Sequence, residues 1–251
     1  MNSFELIGRG PHKVMLLHGW FGTARGWGPF VDSLDQDAYS WCCMDYRGYG
    51  ASKSRSGDYS MAEISADALE LADALGWDKF SLLGHSMGGM AIQRVLADAP
   101  ARVRKLVALT PVPASGVPFD EAGWAFFSAA AGSADTRRAI LDLTTGNRLT
   151  KVWLDGMLRS SLETSNPEAF AGYLTAWAKT DFAEEIQGNT VPILIICGAT
   201  DPALTADFMQ QTYMQWYPNA QLEVMPNSGH YPMFETPVAL ATRVQAFLGA
   251  D

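Results

Sequence analysis

Cysteine is scarce in this chain. Three occur among 251 residues, two adjacent in "SWCCMD" and one in "PILIIC", too few and wrongly placed for a disulfide framework or a thiolate metal site. They are expected as reduced core residues. Histidine is equally sparse: His12, His18, His85 and His230 show no pairing at helical or finger spacing that would hold zinc. No metal and no cofactor are expected. Long hydrophobic runs are missing too, since the longest, such as "KVMLL" and "PILIIC", are far too short to cross a bilayer. Met1 to Gly10 has neither the basic start nor the apolar core of a secretory signal, and a cytoplasmic protein is expected. Positive charge is the last deficit. Against 27 Asp and Glu stand 18 Lys and Arg, a formal net charge of −9. Such a field repels phosphate backbones and anionic lipid, so neither nucleic acid nor a membrane surface is an expected partner.

Apolar residues are plentiful. They make up 48% of the chain, against 18% charged, enough to bury a large core and far from a disordered composition. At this length one α/β domain is the simplest reading. Short β-rich runs alternate with amphipathic segments: "KVMLL", "YSWCCMD", "KFSLLG" and "VRKLVALT", three of them nearly continuously apolar, as strands covered on both faces are. Between them, "MAEISADALELADALG" sets Ile64, Ala68, Leu71 and Leu75 on one helical face, and "GGMAIQRVLADAP" stops at a proline. Strand and helix in alternation imply a mostly parallel sheet with helices on both faces.

From about Val112 to Gly188 the alternation breaks. Apolar residues recur there at helical spacing with many aromatics, and no strand is convincing. Strands resume in "TVPILIICG" and "AQLEVMP", each followed by a helix, near 206–216 and 237–248. The expected organisation is a core of residues 1–111 and 189–251 interrupted by a helical insertion over 112–188.

"GHSMG" fits G-x-S-x-G, a weak signal alone that gains weight from the strand before it and the helix after it. In a sharp strand-to-helix turn the serine takes strained backbone angles, and side chains two positions away would collide; Gly84 and Gly88 have none. Ser86 is thereby raised above the strand ends, with the Met87 N–H at a helix N-terminus aimed at a developing oxyanion. A serine needs a base, and the base an orienting group. "ICGATDPAL" puts Asp201, with Asp207 as a nearby competitor, just past one strand, and "MPNSGHYPMFETP" puts His230 just past the next. Parallel strands end on one sheet edge, so Ser86, Asp201 and His230 can converge. His12 lies in a polar segment, and the turn would aim His85 elsewhere. The second oxyanion donor is expected from "LLHGWFGTARGW", with Gly19 allowing close approach, the Trp20 N–H first and Phe21 second. His18 reads as a structural hydrogen-bonding residue.

These motifs together resemble the α/β-hydrolase fold superfamily over essentially the whole chain: "HGWFG", "MDYRGYGAS", "GHSMGG", "GATD" and "GHYPMFETP" stand in family order. The resemblance implies Ser86 as nucleophile, His230 as base, Asp201 as acid, Trp20 and Met87 as oxyanion hole, and the insertion as a cap. Asp45 and Arg47 would be scaffold. Many relatives carry a proline a few residues past the acid where this chain has Leu204 and Thr205, which implies a differently shaped loop. A serine at the nucleophile position argues against the carboxylate chemistry of haloalkane dehalogenases and epoxide hydrolases. Acyl transfer to water remains.

The cap holds ten acidic and six basic residues, so an uncharged, moderately apolar acyl group is expected. Phe21, Trp124, Phe127, Trp153 and Trp177 are its candidate contacts. "HGW" resembles the methyl esterases of pimeloyl carrier protein, which dock an acidic carrier on a basic cap; Arg137, Arg138, Arg148, Lys151 and Arg159 could form such a patch, and an ordinary solvated face is the preferred reading. The expected activity is hydrolysis of small-molecule carboxylic esters through an acyl-enzyme. Lactone hydrolysis, serine-dependent carbon–carbon bond hydrolysis and a slow-turnover receptor are the alternatives. Oligomeric state is not legible.

Overall fold

In the computed structural model, residues 1–250 are described. Seven strands form one sheet in the order β1-β3-β2-β4-β5-β6-β7: β1 Phe4–Ile7, β2 His12–Leu17, β3 Tyr39–Met44, β4 Phe80–His85, β5 Val103–Leu109, β6 Ile193–Gly198 and β7 Ala220–Met225. Every pairing is parallel except the antiparallel β1 with β3. Strands β3, β4 and β6 are buried at every position, as their unbroken apolar runs require when helices cover both faces. The four-residue β1 had no signal in the sequence: it is too short for alternation and only half-buried.

Helix α1 (Met61–Ala74) begins at Ser60, whose hydroxyl accepts from the Glu63 N–H, and buries the Ile64, Ala68 and Leu71 face. Helix α2 (Met87–Asp98) packs on β2, β4 and β5. Five helices fill the interval between β5 and β6: α3 Glu121–Ala129, α4 Ala134–Thr144, α5 Lys151–Thr164, α6 Pro167–Lys179 and α7 Ala183–Ile186. After β6 come α8 (Ala206–Gln211) and α9 (Tyr213–Trp216), and after β7 come α10 (Pro232–Glu235) and α11 (Pro237–Gly249). The single helix expected near 206–216 is broken at Thr212, whose φ of −121° and ψ of −94° leave the helical region. Among the described residues no helix is long and apolar enough to cross a membrane.

The chain runs outward from β2 to β3 on one side and to β4 on the other, so the loops after β2 and β4 diverge and leave a crevice at the strand ends. Strand β4 is central in the sheet, and Ser86 is the residue that follows it.

Candidate active site

Ser86 sits between β4 and α2 at φ 55°, ψ −117°, a conformation that costs a non-glycine residue about 1–3 kcal/mol. The turn is held from three sides: Ser86 N–H donates to Leu109 O, and Ser86 O accepts from Gly89 N–H and Val112 N–H. The flanking glycines are needed for close approach. A Cβ on Gly84 would lie 2.1 Å from Gly88 O, and one on Gly88 would lie 2.0 Å from Leu17 O. A side chain at Gly19 would likewise meet His85 Nδ1 at 2.7 Å and Ser86 Cβ at 3.0 Å, which is why the loop after β2 can rest against the serine.

His230 follows β7 and Asp201 follows β6. The His230 Nδ1–H donates to Asp201 Oδ2 at 2.6 Å, within a buried pair. The other carboxylate oxygen, Oδ1, accepts from the Ala203 and Leu204 amides at 2.9 and 3.2 Å, so the acid is fixed by its own turn. Asp207 stands exposed in the first turn of α8 and is not the partner of His230. Among the described residues, Ser86 Oγ makes no hydrogen bond; Ser86 and His230 line one cavity.

Three groups that the sequence reading passed over hold the His230 loop. His85 Nε2–H and the Thr110 hydroxyl both donate to His230 O, at 2.8 and 3.1 Å. The Glu235 carboxylate accepts from the Gly229 and Tyr231 amides on either side of His230, at 2.9 and 3.1 Å. Its Oε2 also accepts from Arg148 Nη1 at 2.9 Å. No periodicity marks such contacts in advance. Burial, helped by the nearby His230, pushes the His85 imidazole well below its usual range, so it is a neutral donor. The adjacency of His85 to Ser86 is the only sequence signal it carries.

In the loop after β2, His18 is neutral as well. Burial outweighs the opposing pull of Asp45 and the bond to Gly19, and lowers its pKa to about 4. His18 Nδ1–H donates to Gly19 O at 2.8 Å, and Nε2 accepts from the Tyr46 amide at 3.4 Å. The amides of Trp20, Phe21 and Met87 have no acceptor within the described chain. Asp45 accepts from the Ala24 and Ala51 amides, and Arg47 pairs with Asp67 and Glu63, both bracing the loops from outside the cavity.

The cavity measures about 330 Å³. Phe21, Phe127 and Trp177 line it, with Trp20, Phe119 and Leu143 among the other apolar walls, and no Lys or Arg side chain reaches it. Trp124 and Trp153, both expected in this pocket, lie elsewhere. The ammonium of Lys179 covers the Trp124 ring at 3.7 Å over an outer hollow of the cap. Trp153 packs edge-on against Tyr231 and Phe234 in a separate surface groove. Aromatic content told that the cap was apolar without telling which helix faces turn inward. Of the five basic residues, Arg137 is buried, Arg138 and Lys151 share Asp155, Arg148 pairs with Glu235, and Arg159 stands exposed on α5.

A mostly parallel sheet with a serine at the turn after its central strand β4 and a buried acid–histidine pair just beyond β6 and β7 defines a class of hydrolase fold. The alpha/beta hydrolase fold family profile matches residues 13–237, and the chain belongs to that family. It is 30% identical to the pimeloyl-[acyl-carrier protein] methyl ester esterase of Nitrosomonas europaea, over 93% of this chain and 94% of the relative. It is 26% identical to the 2-hydroxy-6-oxononadienedioate/2-hydroxy-6-oxononatrienedioate hydrolase of a Pseudomonas species, over 91% and 84%. Among solved structures, the esterase EaEST from Exiguobacterium antarcticum superposes with a TM-score of 0.88 at 19% identity, covering 99% of this chain and 95% of that one, which shows the shared fold.

Proposed function

We propose that this chain is a serine-dependent carboxylic ester hydrolase for small to medium, neutral, mainly apolar acyl groups. The observation that carries the proposal is the meeting of Ser86, in its strained turn, with the Asp201-held His230 on one apolar cavity. In this reading Ser86 Oγ attacks the ester carbonyl as His230 Nε2 takes its proton, a contact that closes when substrate arrives. Asp201 keeps the Nδ1–H tautomer and favours the imidazolium. The oxyanion rests on the free amides of Met87 and Trp20, with Phe21 beside them. His230 then protonates the departing alkoxide, and water releases the acid from the acyl-enzyme by the reverse steps.

The acyl preference follows from the cavity wall. A carboxylate brought into it would lose its water with no Lys or Arg to meet it, at a cost of several kcal/mol. The absence of a cationic wall separates this site from one suited to the dicarboxylate named for the Pseudomonas hydrolase. A volume of about 330 Å³ is at the small end of ligand cavities.

The test is hydrolysis of p-nitrophenyl esters from acetate to decanoate, with the half-ester of a dicarboxylic acid of matched length. We expect rapid multiple turnover with one length optimum, and at least about a hundredfold lower kcat/KM for the charged acyl group. Equal rates for neutral and charged acyl groups would contradict the substrate class. A single turnover that leaves the protein acylated would contradict the hydrolase.

A further inference from the structure

Three consecutive carbonyls in the loop after β2 are each held by a buried side chain. His18 O accepts from the Tyr46 hydroxyl at 2.8 Å, Gly19 O from His18 Nδ1–H at 2.8 Å, and Trp20 O from the Tyr49 hydroxyl at 2.9 Å. A trans peptide is planar, with its N–H opposite its carbonyl, so holding the oxygen fixes the direction of the next amide. His18 thereby sets the Trp20 N–H. Tyr49 sets the Phe21 N–H. Neither amide has an acceptor within the described chain, and both residues line the cavity with Ser86.

Tyr49 belongs to neither the loop nor the cap but touches both. Its backbone pairs with Ser165, at the junction of α5 and α6. Beside it the Asn166 N–H donates to Gly48 O at 2.7 Å, and the Trp20 indole N–H donates to Phe170 O on α6 at 2.7 Å. The seating of the cap and the direction of the loop's amides therefore share one set of contacts.

We propose that Tyr49 is a positioning residue for the oxyanion site: its hydroxyl locks the Trp20–Phe21 peptide against the seated cap, so that the Phe21 amide is aimed beside those of Trp20 and Met87 before an ester arrives. The inference rests on the ester-hydrolase reading above. Donors already aimed need no reorganisation at the moment of reaction, which is where their value lies. Without the hydroxyl, Trp20 O is buried with no donor, and the peptide is free to turn that oxygen toward the developing oxyanion.

The experiment compares wild type, Tyr49→Phe and Tyr173→Phe. Tyr173 lies in the same ring cluster, 5.6 Å from Tyr49 between centroids, and its buried hydroxyl has no partner among the described residues. It controls for losing a buried hydroxyl as such. Three quantities are read per active site, counted by titration with a fluorophosphonate: kcat and KM on the best p-nitrophenyl ester, and the affinity of an alkyl boronic acid, which forms a tetrahedral adduct with a serine. For Tyr49→Phe we expect kcat to fall about 10- to 100-fold, KM to stay within about twofold, and boronate affinity to fall with kcat. Tyr173→Phe should match wild type in all three. Wild-type kcat and boronate affinity per site in Tyr49→Phe, or an equal loss in Tyr173→Phe, would overturn the inference. If wild type neither hydrolyses the esters nor takes the fluorophosphonate, the ester-hydrolase reading falls first and the inference with it.

Discussion

Ser86 holds φ 55° because its neighbours leave it no alternative, and the two glycines that permit this are what made the turn visible in the sequence. Asp201 and His230 were legible for a related reason: each directly follows an apolar run that reads as a parallel strand. Their supports were not. Thr110 and the tautomer of His85 act through contacts between segments far apart in the chain, and Glu235, though only four and six residues from the amides that donate to it, carries no pattern that announces the role. The buried histidines carry a prediction at this scale. His18 has a pKa of about 4 when folded, below its ordinary 6.5, so between these values the unfolded chain takes up a proton that the native state refuses. Stability is then complete above about pH 6.5 and falls as the pH drops toward 4. His85 acts in the same direction. Urea midpoints at pH 7 and pH 4.5 measure this, and His18→Gln should flatten part of the slope. A midpoint that does not fall with acid would show that these imidazoles are not held neutral.

At the scale of elements, the sequence reading recovered the buried strands because an unbroken apolar run is what a strand covered on both faces requires. It missed β1, which is short and half-buried, and the break between α8 and α9, which no proline or glycine marks. In the cap it recognised helices but not their facing, so Trp124 and Trp153 were misplaced while Phe127 and Trp177 lie on the cavity. Arg137 shows how the cap is joined. Only 2% exposed, it donates to Ala130 O, Ser161 O and the Ser161 and Ser165 hydroxyls, with its guanidinium 3.6 Å over Phe170. Among the described residues no carboxylate pairs with it. Removing it relieves a buried charge but orphans several acceptors between α3, α4 and α5, and the second effect should dominate. Arg137→Met is expected to lose about 1–3 kcal/mol in chemical denaturation. An unchanged or raised midpoint would mean that the charge costs more than its bonds return.

Across the whole molecule, distant residues converge on one edge of the sheet. Residues 115 and 144 positions beyond Ser86 meet near it only because β4, β6 and β7 run parallel and end on one edge of the sheet, above which the cap closes an apolar cavity. The order of strands carried this into the sequence reading, and the excess of acidic over basic residues in the insertion pointed to an uncharged acyl group; which partners take up the basic residues, Asp155, Glu235 and buried carbonyls, was not legible there. The most direct test is covalent capture. Wild type and Ser86→Ala are treated with a fluorophosphonate, and intact mass and peptide mapping locate the adduct while ester hydrolysis is followed in parallel. The account predicts one adduct per wild-type chain, on Ser86, with loss of activity in step, and neither adduct nor turnover in a folded Ser86→Ala. An adduct on another residue, or turnover that survives Ser86→Ala, would contradict it.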